Sequence, residues 1–143
     1  MTTTPSAPES TSRRDSIPAE IARSWLLVSA TRTDTFDSAF RSRADQIVLD
    51  IEDAVDPKLK PKAREDVIDW LSAGGDGWVR INDHTTEFWS DDVDALSGVP
   101  GLRGVMLAKT ESPADVTETF DRLGGHTPVL ALIESALVPV SRR

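Results

Sequence analysis

The segment Gln46-Ile-Val-Leu-Asp-Ile-Glu-Asp-Ala-Val-Asp-Pro57 decides how the rest of the chain is interpreted. It begins with a short apolar run rich in β-branched residues, which is typical of a strand buried on both faces. Three carboxylates, Asp50, Glu52 and Asp53, lie at the C-terminal end of that strand. Because carboxylates repel one another and resist burial, such a cluster needs a cation, protons or bound water. The alternative is that one or two of them cap the next helix, as acidic residues after a parallel strand often do.

The same pattern of an apolar strand followed by a helix repeats on both sides of this segment. Strand patterns occur at 25–28, 47–51, 78–82, 104–108 and 128–133. Helical periodicity lies between them, at about 34–43, 60–71, 88–96 and from Ser112 onward. Strands that alternate with helices in this way predict βα units and a parallel sheet, and therefore an α/β fold.

The composition argues against several classes of protein. The formal net charge is −8 over 143 residues, so the chain lacks the basic face that nucleic-acid binding requires. Cysteine is absent, which rules out a disulfide framework and a thiolate nucleophile and is typical of a reducing compartment. No apolar run has the length of a membrane span. We therefore expect a cytoplasmic protein that binds neither nucleic acid nor membranes.

Ionisable side chains follow four of the five predicted strands, and the carboxyl ends of parallel strands line the ligand site in both open sheets and barrels. After the acidic cluster of the second strand come Arg80, Lys109 and Glu134. Arg80 could instead pair with a nearby acid, and Lys109 could be solvated. Glu134 follows five apolar residues, where a buried carboxylate needs a partner or a metal. Oxygen ligands beside two basic residues predict a Mg²⁺ site for a carboxylate-bearing substrate.

Several motifs in succession resemble a known family. Residues 47–55, Ile-Val-Leu-Asp-Ile-Glu-Asp-Ala-Val, are similar to its "LDLEDAV" signature, residues 79–82 to its "VRIN", and residues 132–136 to its "IET/SA". Residues 23–28 match its opening strand, and Arg32 follows where many members carry an arginine. By these motifs the chain resembles the citrate lyase β-subunit-like group of the HpcH/HpaI aldolase superfamily, which includes malyl-CoA lyases and related CoA-ester lyases.

The resemblance implies a (β/α)8 TIM barrel, of which this chain would supply about five βα units. It also implies a Mg²⁺-dependent lyase that cleaves or forms a carbon–carbon bond in the CoA thioester of a hydroxy-dicarboxylic acid, such as citryl-CoA or malyl-CoA. Glu134 would bind the metal and contact the substrate, and Arg80 would hold the oxo-acid. Glu52 and Asp53 would orient water on the metal, and Arg32 would contact the substrate. Acyl-CoA and small oxo-acids would be the partners, in a homo-oligomer.

The resemblance ends near Leu137. We therefore predict a disordered tail at 1–20, a partial barrel domain at 21–137 and a divergent tail at 138–143. A barrel of this type needs ~200 residues or more, and the family's second metal ligand, an Asp in a later "FG-x-x-D" segment, has no counterpart. We expect these departures to impair catalysis. The alternatives are a non-catalytic remnant or interaction module and an open, flavodoxin-like receiver domain, in which the first strand would lie in the middle of the sheet.

Overall fold

All five predicted strands are present and pair in parallel in the order of the sequence. The computed structural model describes residues 17–134. Within them the strands are β1 (Trp25–Ser29), β2 (Gln46–Asp50), β3 (Gly77–Ile81), β4 (Leu102–Leu107) and β5 (Val129–Ala131). Their order in the sheet is β1-β2-β3-β4-β5, and each neighbouring pair is parallel. This arrangement confirms the α/β fold and the partial barrel, and it argues against a receiver domain, whose first strand is internal.

Four α-helices connect the strands. They are α1 (Phe36–Phe40), α2 (Lys60–Ser72), α3 (Phe88–Leu96) and α4 (Pro113–Arg122). Ser112 caps α4 by accepting a hydrogen bond from the backbone N–H of Asp115, and Pro113 occupies the first position, where its missing N–H costs nothing. None of the helices within residues 17–134 is long and apolar enough to cross a lipid bilayer.

The two faces of the sheet are covered differently. Side chains that alternate along the strands, such as Ile47, Leu49 and Val79, pack with the helices into the main core. The opposite face carries a smaller cluster centred on Val48, Trp78 and Met106. Because β2 has neighbours on both faces, all five of its residues are buried, as the apolar run predicts.

The predicted tails lie largely outside the described residues, and the last strand differs in length from its prediction. Of the predicted tail 1–20, residues 1–16 lie outside the described residues, and a 3₁₀ turn spans Ala19–Ile21 at its end. The predicted end of the domain at 137 and the tail 138–143 also lie outside them. The last strand is shorter than its apolar pattern suggests, because only Val129–Ala131 pair with β4.

Candidate active site

The carboxylate at the end of β2 and the arginine at the end of β3 form a buried ion pair. Asp50 and Arg80 are paired in the register of the two strands. Arg80 donates from Nε to Asp50 Oδ1 at 2.9 Å and from Nη2 to Asp50 Oδ2 at 2.5 Å. This two-bond contact, between side chains only 2% and 12% exposed, fixes the plane of the guanidinium. It uses one edge of that plane and leaves the end edge, formed by the two Nη groups, for a second carboxylate.

Glu52 is a buried carboxylate with unused hydrogen-bonding capacity. Its side chain is 6% exposed, and its Oε1 atom has no hydrogen-bond partner among the described residues. Burial, followed by a hydrogen bond to Asp53 and the charge of Asp53, raises the pKa of Glu52 to about 7. The same hydrogen bond is the main reason that the pKa of Asp53 is lowered. Below about pH 7 the pair therefore holds one proton, carried by Glu52, beside an ionised Asp53.

Lys109, two residues after β4, connects Glu134 to the acidic turn, the segment 51–55 that follows β2. Its ammonium lies 3.8 Å from Glu52 Oε2 and 3.5 Å from Asp53 Oδ1, and these two charges raise the pKa of Lys109. Its backbone N–H donates to Glu134 Oε2 at 3.3 Å. Lys109 is the only non-glycine residue with positive φ, +46°, among the described residues. Strained backbone of this kind is common at functional sites. Here the backbone N–H of Lys109 reaches Glu134, while its ammonium lies near Glu52 and Asp53.

The acidic turn is also held from beneath by two buried donors. Lys60, the first residue of α2, donates from Nζ to the carbonyl oxygens of Ile51 and Glu52. Asn82 donates from Nδ2 to the same Ile51 oxygen at 3.3 Å. Ser29 Oγ donates to the carbonyl of Ala54, which ties the loop after β1 to the turn. The turn is thus fixed by its main chain while its two acidic side chains face the strand ends.

A fully buried carboxylate on α3 holds Asn82 in place. Asp92 accepts hydrogen bonds from the backbone N and from Nδ2 of Asn82 at 3.1 and 2.7 Å. Its other oxygen lies 2.8 Å from both Nε and Nη2 of Arg64 on α2. Burial raises the pKa of Asp92, and the bonds from Asn82 and Arg64 oppose that rise. The network connects α2, α3 and the end of β3 beneath the acidic turn.

The structure brings most, but not all, of the predicted site residues together. Arg80, Glu52 and Asp53 lie at one edge of the sheet, and Lys109 connects them to Glu134. Glu134 itself lies at the surface of the described part of the chain, because β5 pairs only with β4 within the described residues. Arg32 is also apart from the cluster: its exposed side chain pairs with Asp34 at 3.5 Å.

The capping explanation of the acidic cluster is wrong. The cap of the segment before α2 is Asp56, whose side chain accepts from the backbone N–H of Lys58 at 2.9 Å. Asp50 accepts instead from the backbone N–H of Glu52, besides its pair with Arg80.

Four supporting residues were not predicted from the sequence: Lys60, Asn82, Asp92 and Arg64. For Lys60 a signal was present. The buried residues of α2 are Lys60, Ala63, Val67 and Leu71, which is helical spacing, so a lysine stands at the start of an apolar stripe. For Asp92 the signal is similar, because it lies beside Val93 and within the buried set of α3.

The family model for HpcH/HpaI aldolase/citrate lyase matches residues 23–138. A curated relative, the citrate lyase subunit beta-like protein of Mycobacterium tuberculosis, is 38% identical over 112 residues, which cover 78% of this chain and 38% of the relative. The L-malyl-CoA/beta-methylmalyl-CoA lyase of Rhodobacter capsulatus is 37% identical over 109 residues, 69% of this chain and 33% of that enzyme. The chain therefore spans well under half the length of these relatives.

A solved structure has a similar fold. Protein CitE of Mycobacterium tuberculosis, in complex with magnesium, acetoacetate and coenzyme A, superimposes with a TM-score of 0.68 at 35% identity. The match covers 82% of this chain and 42% of that one.

Proposed function

This chain belongs to the HpcH/HpaI aldolase/citrate lyase family, and we propose that it functions as part of a Mg²⁺-dependent carbon–carbon lyase. The substrate class is the CoA thioester of a hydroxy-dicarboxylic acid, of the citryl-CoA or malyl-CoA type. The observation that carries the proposal is the placement of Arg80 beside the Glu52–Asp53 pair, at the carboxyl ends of neighbouring parallel strands. That edge of the sheet is where parallel α/β enzymes bind their ligands.

In this proposal Arg80 binds the carboxylate of the oxo-acid. Asp50 holds the guanidinium through Nε and Nη2, so the end edge is presented in a fixed orientation without further ordering. A planar fork can grip a carboxylate with two bonds, whereas the ammonium of a lysine would act as a point charge. Binding at a fixed angle places the reacting carbon next to the acidic turn, and such orientation is a large part of catalysis.

The oxygen-rich residues fit a Mg²⁺ ion only with help from a ligand. Within residues 17–134 no group of three or more acidic or histidine side chains is arranged to hold a metal. Mg²⁺ commonly takes one or two protein carboxylates and completes its shell with water and substrate oxygens. Glu134 would be the direct ligand. The unpartnered Glu52 Oε1 is a free acceptor for a water of that shell. When bound, the ion would stabilise negative charge on oxo-acid and enolate oxygens.

The Glu52–Asp53 pair would act on water and protons. Below about pH 7 the proton on Glu52 is held in the hydrogen bond to Asp53. The remaining oxygens, among them Glu52 Oε1, can therefore accept hydrogen bonds from water and orient it. Lys109, 3.5 Å from Asp53, offsets the remaining negative charge so that an anionic substrate is not repelled. Arg32, on the loop after β1, would reach the substrate after exchanging its exposed contact with Asp34.

The remaining parts of the proposal concern the setting of the site. Acyl-CoA and small oxo-acids are the proposed partners, and a second copy of the chain is the proposed macromolecular partner, since Leu26 and Leu27 of β1 are 39% and 46% exposed. We also propose residues 21–137 as the domain unit and a cytoplasmic location, in keeping with the absence of cysteine.

The direct test compares Arg80→Lys with Arg103→Lys. Arg103 also pairs with a carboxylate, Asp76, but it lies at the opposite ends of the strands. Calorimetric titration with oxaloacetate, with and without Mg²⁺, measures binding, and an assay with citryl-CoA and malyl-CoA measures cleavage. We expect Mg²⁺-dependent binding that weakens about tenfold or more in Arg80→Lys, the loss of one charge-assisted bond, and persists in Arg103→Lys. Absence of binding in the unmodified chain would favour the non-catalytic alternative.

A further inference from the structure

The environment of Lys60 is unusual for a lysine. Its residue is 7% exposed, whereas Lys58 and Lys62, two positions away on either side, are exposed. Lys60 is also the first residue of α2, and the positive end of the helix dipole disfavours a cation there. Burial lowers the pKa of Lys60. Neither helix formation nor solvation accounts for a lysine at this position, so its contacts must.

Those contacts are with the main chain of the acidic turn. Lys60 Nζ lies 3.0 Å from the Ile51 carbonyl oxygen and 2.6 Å from that of Glu52. Hydrogen bonds from a charged donor are roughly twice as strong as neutral ones. Asn82 reaches the Ile51 oxygen as well, but for the Glu52 oxygen the other donor is the backbone N–H of Val55, at 3.2 Å. Lys60 is therefore the strong donor that holds the Glu52 peptide.

The charges around Lys60 belong to the same site. The carboxylates that favour its ammonium form are, in order of effect, those of Glu52, Asp92, Asp50 and Asp53. Its Nζ also lies 5.6 Å from the centre of the Phe88 ring, within the range of a cation–π contact. The ammonium of Lys60 therefore contacts the main chain of the turn and one aromatic ring. The carboxylates of the site are close enough to favour its charged form.

We infer that Lys60 is a positioning residue, which fixes the Ile51 and Glu52 carbonyls so that the Glu52 and Asp53 side chains face Lys109 and the strand ends. Its catalytic meaning rests on the proposed function, whereas its effect on the turn does not. Lys60 touches neither substrate nor reacting atoms in this scheme. It acts through the geometry of the Glu52 peptide.

The first test is local and independent of any ligand. In Lys60→Met, amide hydrogen exchange of the full chain is expected to accelerate about tenfold or more at Glu52 and Val55, because the turn loses its charged donor. The amides of Val48 and Leu49, in the middle of β2, report global stability. Two controls are matched to the variant: Lys62→Met removes an exposed lysine from the same helix, and Val67→Ala opens a cavity on its buried face.

The pattern of exchange decides between positioning and general stabilisation. If Lys60 only stabilises the fold, Lys60→Met will resemble Val67→Ala, and amide exchange will accelerate by the same factor in the turn and in β2. That result would overturn the inference. If it positions the turn, the change is confined to the turn, and Lys60→Arg, which keeps a charged donor, restores part of the protection.

The second test connects position to function. At a temperature where every variant is folded, Mg²⁺-dependent binding of oxaloacetate is expected to weaken about tenfold in Lys60→Met and to stay unchanged in Lys62→Met and Val67→Ala. Unchanged binding in Lys60→Met would contradict the functional part of the inference. Absence of binding in the unmodified chain would instead contradict the proposed function, and the exchange experiment would still decide whether Lys60 positions the turn.

Discussion

Three acids within four positions behave differently because their surroundings differ. Asp50 is buried and neutralised by two bonds from Arg80. Glu52 is buried without an equally close cation, so its charged form is penalised and its pKa rises to about 7. Asp53 is exposed and accepts from Glu52, which lowers its pKa. At the scale of single residues, burial and the nearest charge therefore determine which acid pairs with Arg80, which carries a proton and which stays ionised.

The raised pKa of Glu52 predicts a pH dependence of stability. Between its ordinary value of 4.5 and about 7, the folded chain holds a proton that the unfolded chain releases. The free energy of unfolding must therefore fall as the pH rises through this window, and the penalty is complete above it. Glu52→Gln, which is neutral at every pH, should remove that part of the decline. Urea unfolding at about pH 5 and about pH 8 measures the difference.

A matched control for this prediction is Glu65→Gln, which neutralises an exposed acid on α2. In this variant, the free energy of unfolding should change between the two pH values as much as it does in the unmodified chain. A Glu52→Gln variant that loses as much stability with rising pH as the unmodified chain would show that Glu52 is ionised in the fold.

Asp92 offers a second prediction at the residue scale. Asp92→Asn keeps the shape but removes the charge that Arg64 and Asn82 share, and breaking one side of a buried ion pair typically costs about 3–5 kcal/mol. We expect a loss of unfolding free energy in that range by urea denaturation. The neighbouring Asp91→Asn, at an exposed position, should change it by less than about 0.5 kcal/mol. Equal effects of the two substitutions would contradict the assignment of Asp92 to a buried network.

At the scale of elements, a glycine in β4 makes room for a tryptophan in β3 on the inner face of the sheet, the face that carries the Val48, Trp78 and Met106 cluster. Trp78 and Gly104 are register partners, and a Cβ at Gly104 would lie 2.3 Å from the Trp78 ring. Gly104→Ala should therefore destabilise the fold by about 1–3 kcal/mol, as overpacking does. Trp78→Phe should offset this loss in the double variant, because the smaller ring withdraws from the clash, and Trp78 Nε1 has no hydrogen-bond partner to lose among the described residues.

Thermal melts of the two single variants and the double variant measure this coupling. Strictly additive losses would mean that the two positions do not compete for the same space.

The sequence predicts an element well where one local signal dominates. The helix predicted at 88–96 is observed as Phe88–Leu96, and β2 is buried throughout, as its continuous apolar run at 47–49 indicates. The end of β5 was not predictable from its apolar run, since pairing with β4 determines where that strand stops.

Site residues, too, were predictable only where a local sequence signal marks them. The acidic strand end and Arg80 could be found from their positions after strands, and their convergence is observed. That Asp50 is the partner of Arg80 depends on the register of two strands far apart in sequence, which no local pattern specifies. Lys60 and its neighbours Lys58 and Lys62 look alike in sequence. Only the helical phase of α2 shows that Lys60 shares the buried face with Ala63 and Val67.

At the scale of the whole molecule, the sheet of the described residues ends in β1 on one side and in β5 on the other. Within residues 17–134, β1 and β5 each pair with one neighbour, so each has one side without a strand partner. Strands with such sides tend to pair with another chain unless charge, proline or a covering segment prevents it. β1 contains neither a charged residue nor a proline: its sequence is Trp-Leu-Leu-Val-Ser. Leu27, beside Trp25 on the inner face, is 46% exposed.

These features predict self-association through β1 and a way to reduce it. Leu27→Lys places a charge on β1, which has one side without a strand partner among the described residues, and charge is the device that natural edge strands use against pairing. The side chain is already half exposed, so the cost to folding should be small. Size-exclusion chromatography with light scattering should show a smaller mean mass for Leu27→Lys than for the unmodified chain at equal concentration. Ile21→Lys adds the same charge at a 68% exposed position outside the strand and should leave the mass unchanged. If both variants reduce the mass equally, net charge rather than the β1 edge controls association, and if neither does, the edge is not the contact.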